Sequence, residues 1–305
     1  DARAQGVRPG DRVLSVNGYT PTRRNAWRIQ YVFNVLRPQP GLRVVVQPPG
    51  GEPRQLDVAA RVGQRARIVD LTEVGEDIYA LIREAQNEAW EARSRGVEIG
   101  DVLVWKLPTL DVEDAVLREG LRQARGKRAL VLDLRGNGGG PVRTLAMLLE
   151  GLSAQPLRIG TWHERGGRTE QLATRGGSGA FTGELLVLVD SESASAAEVT
   201  ARVVQLAGRG VVLGDRTAGA VMRGRYHGLS TGAERVVMYG VNVTEADLVM
   251  ADGGRLEGTG VVPDEIILPG PSEMAAGEDP VLAVALERLG VPMDPAQAGT
   301  LFPEP

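Results

Sequence analysis

Cysteine is missing from all 305 residues. That excludes disulfides, thiolate catalysis and thiolate-bound metal, but it leaves the compartment open, because bacterial exported proteins often lack cysteine too. Histidine is nearly missing. His163 and His227 are the only two; they lie far apart and without H-E-x-x-H spacing, so no metal site is expected, and nothing calls for a cofactor. No apolar run approaches the roughly 18–20 residues that span a bilayer. No basic block stands out and the net charge is −4, so nucleic acid is not an expected partner.

What the chain does contain is ordinary for a globular protein: 42% apolar and 24% charged residues, with a length that suits two domains. Glycine is abundant at 40 residues, so many turns and close backbone approaches are expected. The chain opens abruptly with DARAQGVRPGD, which reads as the middle of a domain. Upstream residues are therefore expected, and any targeting segment with them.

Along the chain, Pro9-Gly10 and Asn17-Gly18 bracket a short strand, RVLSV. A polar helical stretch runs roughly from Arg23 to Leu36. The strand LRVVVQ, a turn at PPGGEP and the strand RQLDVAA close a small β-rich module. Its GVRPGDRVLSVNG run and its closing hairpin at Leu42–Ala59 resemble a PDZ domain, a module that binds peptide C-termini by adding them as a strand to a sheet edge. The strand and loop that would hold a terminal carboxylate should precede Asp1. Residues 73–95 read as a linking helix, with Ile78, Leu81, Ile82, Ala85 and Ala89 on one apolar stripe. From Val97 onward, strands alternate with helices: DVLVWKLP, VEDAVLREGLRQAR, ALVLDL, VRTLAMLLEGL, LLVLVD and VVLGD. This predicts a mostly parallel sheet covered by helices. VVMYGVNVTEADLVMADG reads as two antiparallel strands at an edge, and Asp279-Pro280 as a helix start. The predicted domains are 1–65, a helical linker over 66–96, a core over 97–270 and a helical tail over 271–305.

Two stretches could carry chemistry. ESASAAEV, Glu192–Val199, places serines between the apolar LLVLV and the helical TARVVQLAG. A serine hydroxyl is inert at neutral pH unless a base takes its proton. DLRGNGGG, Asp133–Gly140, sits between a buried strand and a helix, and consecutive glycines let N–H groups converge on an anion. It lacks the lysine and spacing of a P-loop and does not fit a Rossmann fingerprint. An oxyanion hole or a tight structural turn remains. Both stretches would lie at strand carboxyl ends, where α/β sheets bind ligands, and a serine at a helix start would profit from the positive end of the dipole. Together they suggest acyl transfer.

The order PDZ-like module, DLRGNGGG, ESASAAEV, VVLGDRTAG resembles the S41 peptidases, the C-terminal processing (tail-specific) proteases and their tricorn-like relatives, over roughly residues 1–270. The resemblance implies an α/β, crotonase/ClpP-like core with a PDZ domain beside it. It places the nucleophile of the G-S-A-S-A-S-E motif on Ser195, flanked by Ser191 and Ser193, one of which could cap the helix. It puts the oxyanion donors on the backbone N–H groups of Gly139 and Ala196. The processing proteases take their base from a lysine in a G-[DE]-x-T-x-G-K pattern. This chain reads GDRTAGA, so Ala220 stands in that place, and no lysine follows Lys127.

Tricorn-like members instead use a histidine just before an I-P or L-P pair, a position held here by Lys106 in VWKLP. A lysine stripped of water can be neutral and deprotonate serine. The tricorn glutamate before G-V-x-P-D matches Glu257, which would orient or charge-balance Lys106. His163 is expected in a solvent-facing hairpin turn; His227 could swing toward the site. The resemblance thus implies a serine endopeptidase acting on proteins or peptides, bacterial and extracytoplasmic, and possible as a homo-oligomer. The competing readings are a catalytically inactive peptide-binding pseudoprotease, motivated by Ala220, and a crotonase-like acyl-CoA enzyme, for which no basic cluster offers a phosphate site.

Overall fold

The computed structural model describes residues 2–60, 94–232 and 237–302. The chain divides into two compact units, Asp1–Val69 with Pro269–Ala283 and Met293–Pro305, and Asp70–Leu268 with Val284–Pro292.

The first unit begins with β1 (Arg12–Val16), α1 (Ala26–Tyr31) running into a π-turn over Val32–Leu36, β2 (Gly41–Gln47) and β3 (Arg54–Ala59). The three strands form an antiparallel sheet in the order β1-β2-β3. Each element falls where the sequence predicts it. The Asn17-Gly18 turn shows why: Asn17 takes a left-handed φ of 47°, which asparagine tolerates better than most residues. Its Oδ1 then accepts from Arg43 N at 2.7 Å, fastening the end of β1 to β2.

The second unit follows the order β4 (Arg95–Ile99), β5 (Val102–Lys106), α2 (Asp114–Arg125), β6 (Ala129–Asp133), α3 (Val142–Leu152), β7 (Arg158–Glu164), β8 (Thr169–Ala173), β9 (Glu184–Val189), α4 (Ala196–Leu206), β10 (Val211–Gly214), β11 (Arg223–Thr231), β12 (Val237–Met250) and β13 (Glu265–Ile266). Its main sheet has the order β13-β10-β9-β6-β5-β4, parallel except for β4. One face carries Leu103, Trp105, Leu132 and Val187, clustered with Leu117 of α2, Leu148 of α3 and Val199 of α4. On the other face Val102, Val104, Val131 and Leu188 are also fully buried. Burial on both faces is why these strands read as continuous apolar runs rather than alternating ones. Each such side chain contributes about 1.5–3 kcal/mol. The C-terminal segment adds α5 (Pro271–Ala276), α6 (Pro280–Arg288) and α7 (Pro295–Gly299). Asp279 caps α6 as predicted, its Oδ1 accepting from Leu282 N at 2.9 Å.

Two predictions need correction. Most of the linking helix, residues 73–93, lies outside the described residues, but its last residue, Arg95, begins β4. The sequence VEIGDV turns back on itself at Gly100, with φ of 61°, so β4 pairs antiparallel with β5. The segment predicted as two edge strands is one, β12. It sits in a second, antiparallel sheet of order β11-β12-β7-β8. Gly240, inside this strand, marks a close approach: a Cβ there would come 2.2 Å from the Tyr226 ring of β11.

Candidate active site

Parallel neighbours β10, β9 and β6 end side by side, spaced about 4.8 Å apart. The loops leaving their carboxyl ends, residues 134–141, 190–195 and 215–222, are therefore adjacent. The hydrogen bonds between them are dense. Asp190 Oδ1 accepts from Glu192 N and Ser193 N on its own loop, at 3.0 and 2.9 Å, and from Gly136 N on the glycine loop at 3.0 Å. Ser193 is fully buried and donates to Leu134 O at 2.8 Å. Ala194 N donates to Asn137 O at 2.8 Å, and Asn137 Nδ2 reaches Leu107 O at 2.7 Å.

Ser195 itself, and neither Ser191 nor Ser193, stands at the head of α4 as its N-cap. Its φ is 53° and its ψ is −119°. Asn17 is the other non-glycine with positive φ among the described residues. Such a conformation costs on the order of 1–3 kcal/mol and persists only where the surroundings enforce it. Here they do. Ser195 N donates to Ala220 O at 3.0 Å and to Glu198 Oε2 at 3.1 Å. Gly139 presses against the same residue: a Cβ on it would lie 2.6 Å from Ser195 Cβ and 3.0 Å from Ala196 N, and its φ is 99°. Gly139→Ala should therefore lose about 2–4 kcal/mol from strain and overpacking. A thermal melt should read this as a drop of about 5–15 °C; an unchanged melt would show that the glycine contact has room to give.

Glu198 organises the site, although the sequence reading gave it no role. It is fully buried on the first turn of α4. Besides Ser195 N, it accepts from Thr217 Oγ1 at 2.5 Å, Gly219 N at 2.7 Å and Ala220 N at 2.8 Å. Thr217 Oγ1 in turn accepts from Val261 N at 2.6 Å. One carboxylate thus locks the serine turn to the turn after β10. The signal in the sequence was the S-x-x-E spacing of a capping box; its long-range partners leave no local pattern.

The structure brings Ser195, Ala196, Gly139 and Ala220 together. It places the remaining candidates differently. Gly139 N–H donates to Asn137 Oδ1 at 2.8 Å, so the amide read from the sequence as an oxyanion donor is engaged within its own loop. Ala196 N–H, first in its helix, has no intrahelical acceptor. Lys106 ends β5 in register with Asp133 of β6 and, one strand further, Leu188 of β9. Alternation along β5 puts it on the face opposite Trp105, whereas α4 packs on the Trp105 side. No hydrogen bond joins Lys106 to Ser195, and none of the described residues accepts the Ser195 Oγ proton. Glu257 Oε2 accepts from Val221 N at 2.9 Å and Met222 N at 3.2 Å, bracing the chain just after Ala220. Asp133, fully buried, is held by Arg135 through Oδ1 at 2.8 Å and Oδ2 at 2.7 Å. His163, near the end of β7, and His227, inside β11, are both exposed. Among the described residues no cluster of potential ligands could hold a metal ion.

The family model for peptidase family S41 matches residues 101–267, more than half the chain and every loop of this site. The chain belongs to peptidase family S41. Among curated proteins this S41 chain is similar to a tail-specific protease from Haemophilus influenzae, at 25% identity over 237 residues, covering 71% of this chain and 29% of that protein. It therefore spans under a third of that relative's length. Among solved structures it is similar to mature CPAF in complex with lactacystin, with a TM-score of 0.61 at 15% identity over 94% of this chain and 78% of that one. It is also similar to the photosystem II D1 C-terminal processing protease, with a TM-score of 0.51 at 19% identity over 97% of this chain and 71% of that one. At these identities the structures attest the S41 fold alone. No helix among the described residues is long and apolar enough to cross a membrane.

Proposed function

We propose that this S41 chain is a serine endopeptidase acting on proteins or peptides through an acyl-enzyme at Ser195. The observation that carries the reading is the backbone of Ser195, held at φ 53° by Glu198, Ala220 and Gly139. A strained serine at a helix N-terminus, fixed from three sides, is what an exposed nucleophile requires. Ser195 Oγ attacks the scissile carbonyl carbon and its proton passes to a base. The new oxyanion is met by Ala196 N–H and by Gly139 N–H, which turns from Asn137 Oδ1 as the charge develops. The base returns its proton to the departing amine, and water then releases the acyl group. We assign the base to Lys106, which closes β5 at the carboxyl end of the sheet. The first unit serves as a PDZ-like module that recruits substrate ends. The similarity to a tail-specific protease favours the bacterial cell envelope as the place of action.

A second reading is favoured by one observation. Ala220, where processing proteases carry their lysine, lies hydrogen-bonded beside Ser195 and offers it no base. On that reading the chain holds peptides without cutting them. A serine-reactive fluorophosphonate separates the two. We expect wild-type protein to label at Ser195, Ser195→Ala not to label, and Lys106→Ala to label about 10²–10⁴-fold more slowly, the usual size of a lost general base. Wild-type protein that binds peptide yet takes no label would establish the second reading.

A further inference from the structure

We infer that the exposed stripe of α1 in the first unit docks on an anionic phospholipid surface. Residues 2–60 hold nine arginines, no lysine and three acidic residues, in a chain whose net charge is −4. Arg43 pairs with Asp57 and Arg54 with Asp11. Arg24, Arg28 and Arg37 pair with no carboxylate among the described residues. Trp27, Arg28 and Tyr31 lie on one side of α1, since Tyr31 is four residues from Trp27 and three from Arg28; Arg24 sits in the turn just before the helix, and all four are exposed. Trp27 is 59% exposed and Tyr31 48%. Arg28 Cζ lies 5.2 Å from the Trp27 ring centroid, so cation and aromatic share one spot. The helix buries no residue completely; Ile29, Val32 and Phe33 are half-buried and attach it. Beside it Tyr19, 61% exposed, sets its ring tilted against that of Phe33 with centroids 6.0 Å apart, extending the aromatic surface.

The chemistry of this face selects its occupant. Tryptophan and tyrosine settle at headgroup depth, where the ring is in apolar surroundings and the polar edge is in water. Guanidinium groups pair with phosphate oxygens in a fork that lysine cannot form. Cations and aromatics alternating on one short helix therefore match a phospholipid surface, bound reversibly and not spanned. A nucleic acid would use the same arginines, and the comparison of duplex DNA with charged vesicles below separates the two.

The test is cosedimentation of the full chain with vesicles. Binding is expected to phosphatidylcholine vesicles containing about 30% phosphatidylglycerol, not to pure phosphatidylcholine, with release at about 0.5 M salt. Arg24→Ala with Arg28→Ala should weaken binding about thirty-fold, since each charge near such a surface is worth about a factor of five. Trp27→Ala with Tyr31→Ala should weaken it at unchanged salt dependence. All four side chains are exposed, so both variants should melt with the wild type. Equal binding to the two vesicle types, wild-type binding by both variants, or a preference for duplex DNA over the charged vesicles at equal phosphate would overturn the inference.

Discussion

Glu198→Ala is expected to be among the most damaging single changes in this protein, lowering its stability by about 3–5 kcal/mol. The loss follows from counting partners. Ser195 N, Thr217 Oγ1, Gly219 N and Ala220 N all donate to this one buried carboxylate. Each buried donor left without an acceptor costs about 1–3 kcal/mol, and entering water recovers part of it. The melting temperature should fall by about 10–15 °C. Glu198→Gln discriminates a structural post from a positioning one. It keeps the volume but turns an NH₂ toward N–H donors, so the serine turn should relax more than the fold does. Phosphonate labelling should then slow far beyond what the melt accounts for. An alanine variant that melts within about 2 °C of wild type would show that Thr217, Gly219 and Ala220 find other acceptors and that Glu198 is no hub.

A lysine at 220 should restore what Lys106→Ala removes. Ala220 is exposed, and its carbonyl accepts from Ser195 N at 3.0 Å, so a side chain grown from its Cβ starts beside the nucleophile. The resemblance to the S41 processing proteases implies a lysine base at this position. In a Lys106→Ala background, Ala220→Lys is expected to raise the rate of phosphonate labelling at least about 10²-fold. The regained rate should rise with pH as the new ammonium loses its proton, a dependence absent from the single variant. Failure of the double variant, with the fold intact by melt, would mean that the serine geometry itself is not competent. That outcome would favour peptide binding over cleavage.

Legibility from the sequence divides along physical lines. Val142–Leu152 and Ala129–Asp133 could be read almost to the residue, because burial on both faces or along one stripe writes a periodic apolar pattern into the chain itself. Ser195, Ala196 and the glycine loop were legible as motifs, since a strained turn and a close approach restrict residue type at fixed local spacing. β4 was missed because a helical pattern runs up to Arg95 and hides the short alternation that follows. The role of Glu198 cannot be read from its motif, because its partners lie 19 to 22 residues away and nothing local announces them. Glu257 is marked by its neighbours in sequence, while the amides of Val221 and Met222 that donate to it are backbone groups without sequence identity. The Gly139 N–H is likewise turned toward Asn137 Oδ1, a direction that no glycine announces in sequence.

The positive φ of Ser195 also bears on how such a chain would drift. At φ 53° and ψ −119° glycine is the residue with the least conformational penalty. One mutational step from serine to glycine would relax the backbone while discarding the hydroxyl. Selection for stability alone would favour that step, since strained functional residues commonly trade stability for activity. A lineage that only needed to hold peptides would have no counterweight to it, whereas one that cuts them would be held to serine in every generation.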